Sequence, residues 1–278
     1  MILKLMTQIM VLLTLFMSIE YAVLADSITT PVPIIKKQSY YQPTVNTSWH
    51  WQLQGKINTN IKTDVYIIDL FDSSFRLIRQ LKKKNIHVIC YFSAGSYENW
   101  RRDKYQFDKI AIGKEMDGWA GERWTDIRHA SVRKVIKKRL DLAHKKGCDG
   151  IEPDNIDGYT NKTGFPLTAE DQLNFNRFIA QESHQRQLAV ALKNDLNQII
   201  ELVDVFDFAI NEQCHQFDEC HLLQPFIDQG KPVFNAEYNK KYIKNKQQRK
   251  VLCQDANKRQ FKTLILPRAL DNRFRISC

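Results

Sequence analysis

Apolar positions along the chain follow two alternating patterns. The stretches 64–70 and 87–95 are apolar at nearly every position, which marks strands covered on both faces, as in a parallel sheet. The stretches 151–154, 188–194, 205–212, 232–237 and 262–267 have the same character, and 48–53 is aromatic, alternating and closed by Gly55. Between them run helical periods. Residues 74–85 start at a candidate N-cap, Ser74; 131–146 place Val132, Val135, Ile136 and Leu140 opposite a Lys/Arg face and stop at Gly147; 169–185 form another. Strand and helix alternation on this scale predicts an α/β fold with a parallel sheet. Eight strands whose C-terminal ends carry Asp69, Tyr91, Asp154, Lys193, Glu212 and Glu237 favour a single (β/α)8 TIM barrel over an open sheet, because barrel enzymes gather their working residues at that end. The stretch 97–128 is irregular, with Trp100, Trp119, Trp124 and three glycines. It predicts a long Trp-rich loop after the third strand, whose Trp119 and Trp124 either stack on sugar rings or anchor the loop.

The first 25 residues stand apart. Lys4, an apolar run over 9–17 and Val23-Leu24-Ala25 have the layout of a signal peptide cleaved after Ala25. The apolar run is short against the roughly 20 residues of a spanning helix, so export without stable membrane insertion is expected, to the periplasm or outside the cell. Residues 26–46 read as an extended N-terminal arm, and 47–278 as one barrel domain, expected to be a monomer. The chain has six cysteines, all after the leader, and in an exported protein an even count suggests disulfides. Cys214 with Cys220 is the first pairing to expect and Cys253 with Cys278 the next. Zinc held by Cys214, His215, Cys220 and His221 is an alternative with no common spacing behind it.

The net charge of +10 raises the question of nucleic acid. The basic clusters recur at helical spacing opposite apolar positions, the pattern of a solvated outer face, so no nucleic-acid partner is expected. No phosphate-binding glycine loop, HExxH or GxSxG segment is present, which removes the usual grounds for nucleotide, zinc-protease or serine-hydrolase chemistry.

Candidate chemistry centres on residues 149–157, with four carboxylates in the sequence Asp149-Gly150-Ile151-Glu152-Pro153-Asp154-Asn155-Ile156-Asp157. In a strand, Glu152 and Asp154 share a face while Ile151 and Pro153 pack on the other. Two acids held together separate in pKa and suit acid/base or nucleophilic work. Glycoside hydrolysis needs such a pair, and Asp154 with Glu212, two strands further on, is the pair expected. Lys193 on the strand between them would keep neighbouring acids ionised.

Several motifs in order resemble glycoside hydrolase family 114, the endo-α-1,4-polygalactosaminidases. They are Cys148 to Asp157; Trp49-His50-Trp51-Gln52-Leu53 with Gly55; Tyr91-Phe92-Ser93-Ala94-Gly95; Gly118-Trp119-Ala120-Gly121-Glu122 with Trp124, Asp126, Ile127 and Arg128; Lys193-Asn194; and Asn211-Glu212-Gln213-Cys214. The likeness runs from about Trp49 to Tyr238. It implies a TIM barrel that cleaves α-1,4-linked galactosamine polymers internally, with Asp154 as nucleophile and Glu212 as acid/base of a retaining mechanism. A polysaccharide is the expected partner, and neither metal nor other cofactor is needed, which sets aside a cation at Asp154, Asn155 and Asp157. Gln52, Asp69, Tyr91, Asp157, Lys193, Asn235 and Glu237 are the expected substrate contacts, although Asp69 and Glu237 could equally tie strand ends to loops. Asp149 reads as structural. Pro153 departs from the aliphatic residue usual in the family, and the short tail from Lys240 carries no added binding module. A glycosidase of the same scaffold acting on another envelope polysaccharide, or an inactive carbohydrate-binding barrel, is the rival reading.

Overall fold

A computed structural model describes residues 40–278. In chain order its elements are β1 (Trp49–Trp51), β2 (Val65–Asp69), α1 (Phe75–Lys82), β3 (His87–Ser93), β4 (Ser96–Glu98), β5 (Ile112–Glu115), β6 (Glu122–Thr125), α2 (Ala130–Lys146), β7 (Gly150–Asp154), α3 (Ala169–Gln185), β8 (Ala189–Lys193), α4 (Ile199–Leu202), β9 (Phe208–Glu212), α5 (Cys214–Phe217), α6 (Gln224–Asp228), β10 (Val233–Glu237), α7 (Lys240–Lys244), α8 (Lys246–Lys258), β11 (Lys262–Ile265) and β12 (Ile276–Ser277). The eight expected strands are all present, and they pair in parallel in chain order, β1-β2-β3-β7-β8-β9-β10-β11. The short β12 adds to β11 antiparallel.

Each strand is apolar on both faces because two cores meet it. Trp49, Trp51, Ile67, Ile89, Ala191, Phe208, Ile210 and Phe234 fill the inside of the barrel. The opposite faces, with Tyr66, Ile68, Val88, Phe92, Ile151 and Val190, pack on Val132, Ile136 and Leu140 of α2 and Phe175 and Ile179 of α3. The barrel is less regular than its repeat predicts. Among the described residues no helix follows β1, and β1 and β11 share no ladder. Side chains and the tail join that seam instead. The Trp49 indole N–H donates to the Lys262 carbonyl at 2.7 Å, Arg275 donates to the Trp49 carbonyl at 2.7 Å, and the Leu53 N–H to the Leu270 carbonyl at 3.0 Å.

Helix ends follow local chemistry. Thr168 and Asp171 form a reciprocal capping box at the start of α3, and Gly147 ends α2 in the left-handed conformation at φ 83°. The Trp-rich stretch is not irregular throughout. It folds into its own antiparallel sheet, ordered β4-β6-β5, docked through buried charges. Arg101 donates to Asp69 at 2.6 and 3.1 Å and to Glu98 at 2.8 Å, and Arg139 donates to Asp103 at 2.8 Å.

Both anticipated disulfides form, Cys214–Cys220 and Cys253–Cys278, together with Cys90–Cys148. The zinc alternative fails because the Cys214 and Cys220 sulfurs are bonded to each other. The expected leader and most of the arm lie outside the described residues. Where the arm enters them, Tyr40 donates to Asp207 at 3.2 Å and Tyr41 stacks on His87 with centroids 3.6 Å apart. No helix among the described residues is long and apolar enough to cross a membrane.

The Cys90–Cys148 bond closes a 58-residue separation and ties β3 to the chain entering β7. In the chain-entropy account its loss costs about 4 kcal/mol. The double variant Cys90→Ala/Cys148→Ala is therefore expected to unfold in urea with a stability lower by about that amount, and an unchanged midpoint would contradict it.

Candidate active site

The C-terminal ends of β3, β7, β8, β9 and β10 open into a cavity of about 290 Å³ accessible to water, whose lining includes Tyr91, Asp154, Asp157, Lys193, Glu212 and Tyr238. Its centre is the Lys193 ammonium. That nitrogen lies 2.9 Å from Asp154 Oδ1, 3.3 Å from Glu212 Oε2 and 3.4 Å from Glu152 Oε1, and 5.1 Å over the Trp51 ring. Burial opposes its charge, but the three carboxylates outweigh burial and hold its pKa well above the ordinary value. Because one nitrogen is shared, the nearest oxygens of Asp154 and Glu212 lie within about 6.2 Å of each other.

The three acids meet different environments. Burial works against the Asp154 charge, but Lys193, the Tyr91 hydroxyl at 2.8 Å and the Asn155 N–H at 2.8 Å hold its carboxyl below the usual range. Glu152, two residues back on the same face of β7, is 0% exposed, and neither oxygen accepts a hydrogen bond. Burial raises its pKa to about 8 despite Lys193, with the charges of Asp154 and Glu212 pushing the same way. Burial thus favours its protonated form, which eases the crowding of three acids around one ammonium. Glu212 accepts from the Tyr238 hydroxyl. Burial raises the Tyr91 and Tyr238 phenols well above their ordinary values, so both remain donors.

Backbone geometry fixes these side chains. The residue after each of Asp154, Lys193 and Glu212 is left-handed, Asn155 at φ 60°, Asn194 at φ 50° and Gln213 at φ 66°. The conformation is uncommon for residues other than glycine, and such residues cluster at functional sites. Here the turned-back residues brace the site. Asn155 donates to Ser93 at 2.8 Å and to Glu122 at 3.1 Å, while Asn194 Oδ1 accepts from the Glu212 N–H at 3.0 Å. Gly95 leaves room for the first turn, since a Cβ there would lie 1.7 Å from the Asn155 carbonyl oxygen.

Of the residues expected from sequence, Asp154, Glu212, Tyr91, Asp157 and Lys193 line the cavity together. The other four lie outside its lining. Gln52 is buried and binds the Gln54 and Lys56 carbonyls and the Asn58 N–H at 3.0 Å, tying its own loop. Asp69 serves Arg101 and the Phe71 and Asp72 amides. Asn235 and Glu237 face each other below the cavity at 3.3 Å, and Glu237 also accepts from the His215 N–H at 2.9 Å. Asp69 and Glu237 each bond backbone amides or side chains of the segments beside their strand ends. Trp119 is 47% exposed on the cavity wall and Trp124 is buried in it. Tyr238 and Trp51 were not anticipated as site residues. The position of Tyr238, directly after the polar end of β10, was the signal available.

The model of glycoside-hydrolase family GH114 matches residues 32–278. The chain belongs to this family. Among solved structures it is similar to Ega3 of Aspergillus fumigatus in complex with galactosamine, at 39% identity over 86% of this chain and 97% of that one, with a TM-score of 0.81. The glycoside hydrolase domain of PelA from Pseudomonas aeruginosa shares the fold at 15% identity, TM-score 0.65, over 83% of this chain and 98% of that one. No curated protein sequence matches it. As a GH114 chain it is a glycoside hydrolase.

The buried acids of this GH114 chain set the sign of its pH dependence. Glu152 is raised from 4.5 to about 8, Asp195 from 3.8 to about 8, and Glu237 from 4.5 to about 7, in each case by burial first. A raised folded-state pKa means the native state holds protons that the unfolded chain has released, so the associated stability is full below the ordinary value and is lost as pH rises through the folded value. The melting temperature is expected to fall between pH 5 and about 8.5. Glu152→Gln, which mimics the neutral acid, should remain folded and flatten that fall, and a slope identical to that of the parent would contradict the assignment.

Proposed function

We propose that the protein is an exported, endo-acting hydrolase of α-1,4-linked galactosamine polymers that works with retention of anomeric configuration. The observation that carries this is the sharing of one buried ammonium by Asp154 and Glu212. Retaining enzymes hold their carboxyl groups about 5 to 5.5 Å apart, and inverting enzymes about 6.5 to 9.5 Å. The nearest oxygens lie no more than about 6.2 Å apart, close enough for both carboxyls to act on one glycosidic bond, and the retaining assignment follows from the family resemblance. The galactosamine complex of the 39% identical Ega3 supports the sugar. The leader pattern and three disulfides support export.

In this reading Asp154, kept ionised by Lys193 and Tyr91, attacks the anomeric carbon. Glu212 gives its proton to the glycosidic oxygen as the carbon–oxygen bond breaks. The sugar is then held as an ester on Asp154. Glu212, now a carboxylate, takes a proton from water, whose oxygen displaces Asp154 from the same carbon. Tyr238 fixes the Glu212 carboxyl through both steps. Asp157 and Glu122 surround the reacting sugar with acceptors that suit a protonated amine, and Trp119 offers a face for stacking.

Asp154→Asn and Glu212→Gln should each lower kcat on partly deacetylated α-1,4-galactosamine polymer by roughly 10³-fold or more while melting as cooperatively as the parent. Added azide should restore turnover to an Asp154→Gly variant with inversion, seen by NMR of the product anomer. Near-normal turnover in either point variant would remove the assignment, and cleavage of another polymer in preference to this one would move the protein to a different substrate on the same scaffold.

A further inference from the structure

The catalytic cavity continues in two directions, and the two arms carry opposite charge. On the side of β7, β8 and β9 it opens into a trough lined by Asp157, Asp195, Glu212, Glu219 and the exposed Phe217, with no Lys, Arg or His in its lining. On the side of β10, β11 and β1 it opens into a second trough lined by Trp119, Lys240, Pro267, Arg268, Arg273 and Phe274, with no carboxylate in its lining. The first shares Asp157, Asn194, Glu212 and Gln213 with the cavity and the second shares Trp119, Tyr238 and Arg268, while the two troughs have no lining residue in common.

The acidic arm holds an acceptor with an open bonding position. Asp195 is 3% exposed; its Oδ2 accepts from Asn176 at 2.8 Å, and its Oδ1 has no hydrogen-bond partner among the described residues. An ammonium group on a sugar entering this arm would donate to that oxygen, and its charge would favour the ionised carboxylate. Phe217, 59% exposed beside it, offers an apolar face for a pyranose ring. The other arm repels the same sugar. Arg273 is paired with Asp271 at 2.7 Å, but Lys240 and Arg268 are exposed and form no ion pair among the described residues. An N-acetyl group removes the amine's charge, presents a carbonyl oxygen to Arg268, and lays a methyl group on Pro267 and Phe274.

We propose that the cleft is polarised along its length, so that residues with free amines occupy the Asp195 and Glu219 arm, N-acetylated residues occupy the Lys240 and Arg268 arm, and the chain is cut where the two kinds of residue adjoin. This rests on the galactosamine reading above and adds to it which side of the cut must be deacetylated.

The test is digestion of partly deacetylated α-1,4-linked N-acetylgalactosamine oligomers in H₂¹⁸O, which labels the new reducing end, followed by tandem mass spectrometry of the residues flanking each cut. Acetyl content should differ between the two new ends by roughly fivefold or more, and Lys240→Glu/Arg273→Glu should shrink the difference by admitting amines to the basic arm. Glu219→Lys should raise KM for amine-rich oligomers several-fold and leave kcat within about twofold. Equal acetylation at both new ends, in the parent protein, would overturn the polarised cleft alone. Cleavage of none of these oligomers would overturn the galactosamine reading and this inference with it.

Discussion

One ammonium group organises this barrel. Lys193 stands 2% exposed among three carboxylates, and an isolated buried charge of either sign would be costly there. Removing the lysine would leave Asp154 and Glu212 without the cation they share. Glu152, below them on the same strand as Asp154 and without a hydrogen-bond partner, is pushed toward its protonated form by burial, which eases the excess of carboxylates over the one ammonium. Position within one strand thus separates two carboxylates of the same kind: Asp154 at the rim has three donors, while Glu152 below it has none.

The same logic extends outward from the site. The β4-β6-β5 excursion forms one wall of the cavity, and it is pinned by a chain of buried charges that runs from Asp69 through Arg101 and Glu98 to Arg139 and Asp103. Arg139 comes from α2 on the outside of the barrel and reaches the Ser93 carbonyl at 2.5 Å, so the outer helix layer, the sheet and the wall are linked through one side chain. Ser93, Ser96, Glu122 and Asn155 continue that network to the residue next to Asp154. Truncating any member would leave a buried partner unpaired, which costs more than the bond it removes. The outer helix layer and the cavity wall are thereby linked to the backbone beside Asp154.

The sequence made the strands legible because burial on both faces leaves a continuous apolar signature, and the acids at their ends stood out against it. Asp154, Lys193 and Glu212, which meet at one nitrogen in the fold, stood out for that reason. Gln52, Asp69, Asn235 and Glu237 carry the same signature at the same strand ends, yet their partners are a loop carbonyl, a distant arginine and each other. Nothing local distinguishes a carboxylate that will meet Arg101, thirty-two residues away, from one that will line the cavity. Tyr238 escaped notice because an aromatic residue just past a strand end gives no local sign that its hydroxyl will meet Glu212. The small sheet within 96–125 was hidden by its irregular register, with a shift between Ile112 and Glu115, which breaks the two-residue alternation on which strand reading depends.

A barrel with a regular seam would close its ladder between the first and last strands. This one instead uses the Trp49 indole, Arg275 and Leu270, and the choice has a consequence at the mouth. Because the tail after β11 must cross the seam to reach β1, residues 267–274 lie over that side of the barrel, bringing Arg268 and Leu270 into the cavity lining and Arg273 and Phe274 to its margin. The ends of β7 to β9 receive no such crossing and keep their acids. A charge difference across the cavity mouth is then a by-product of how the sheet is closed.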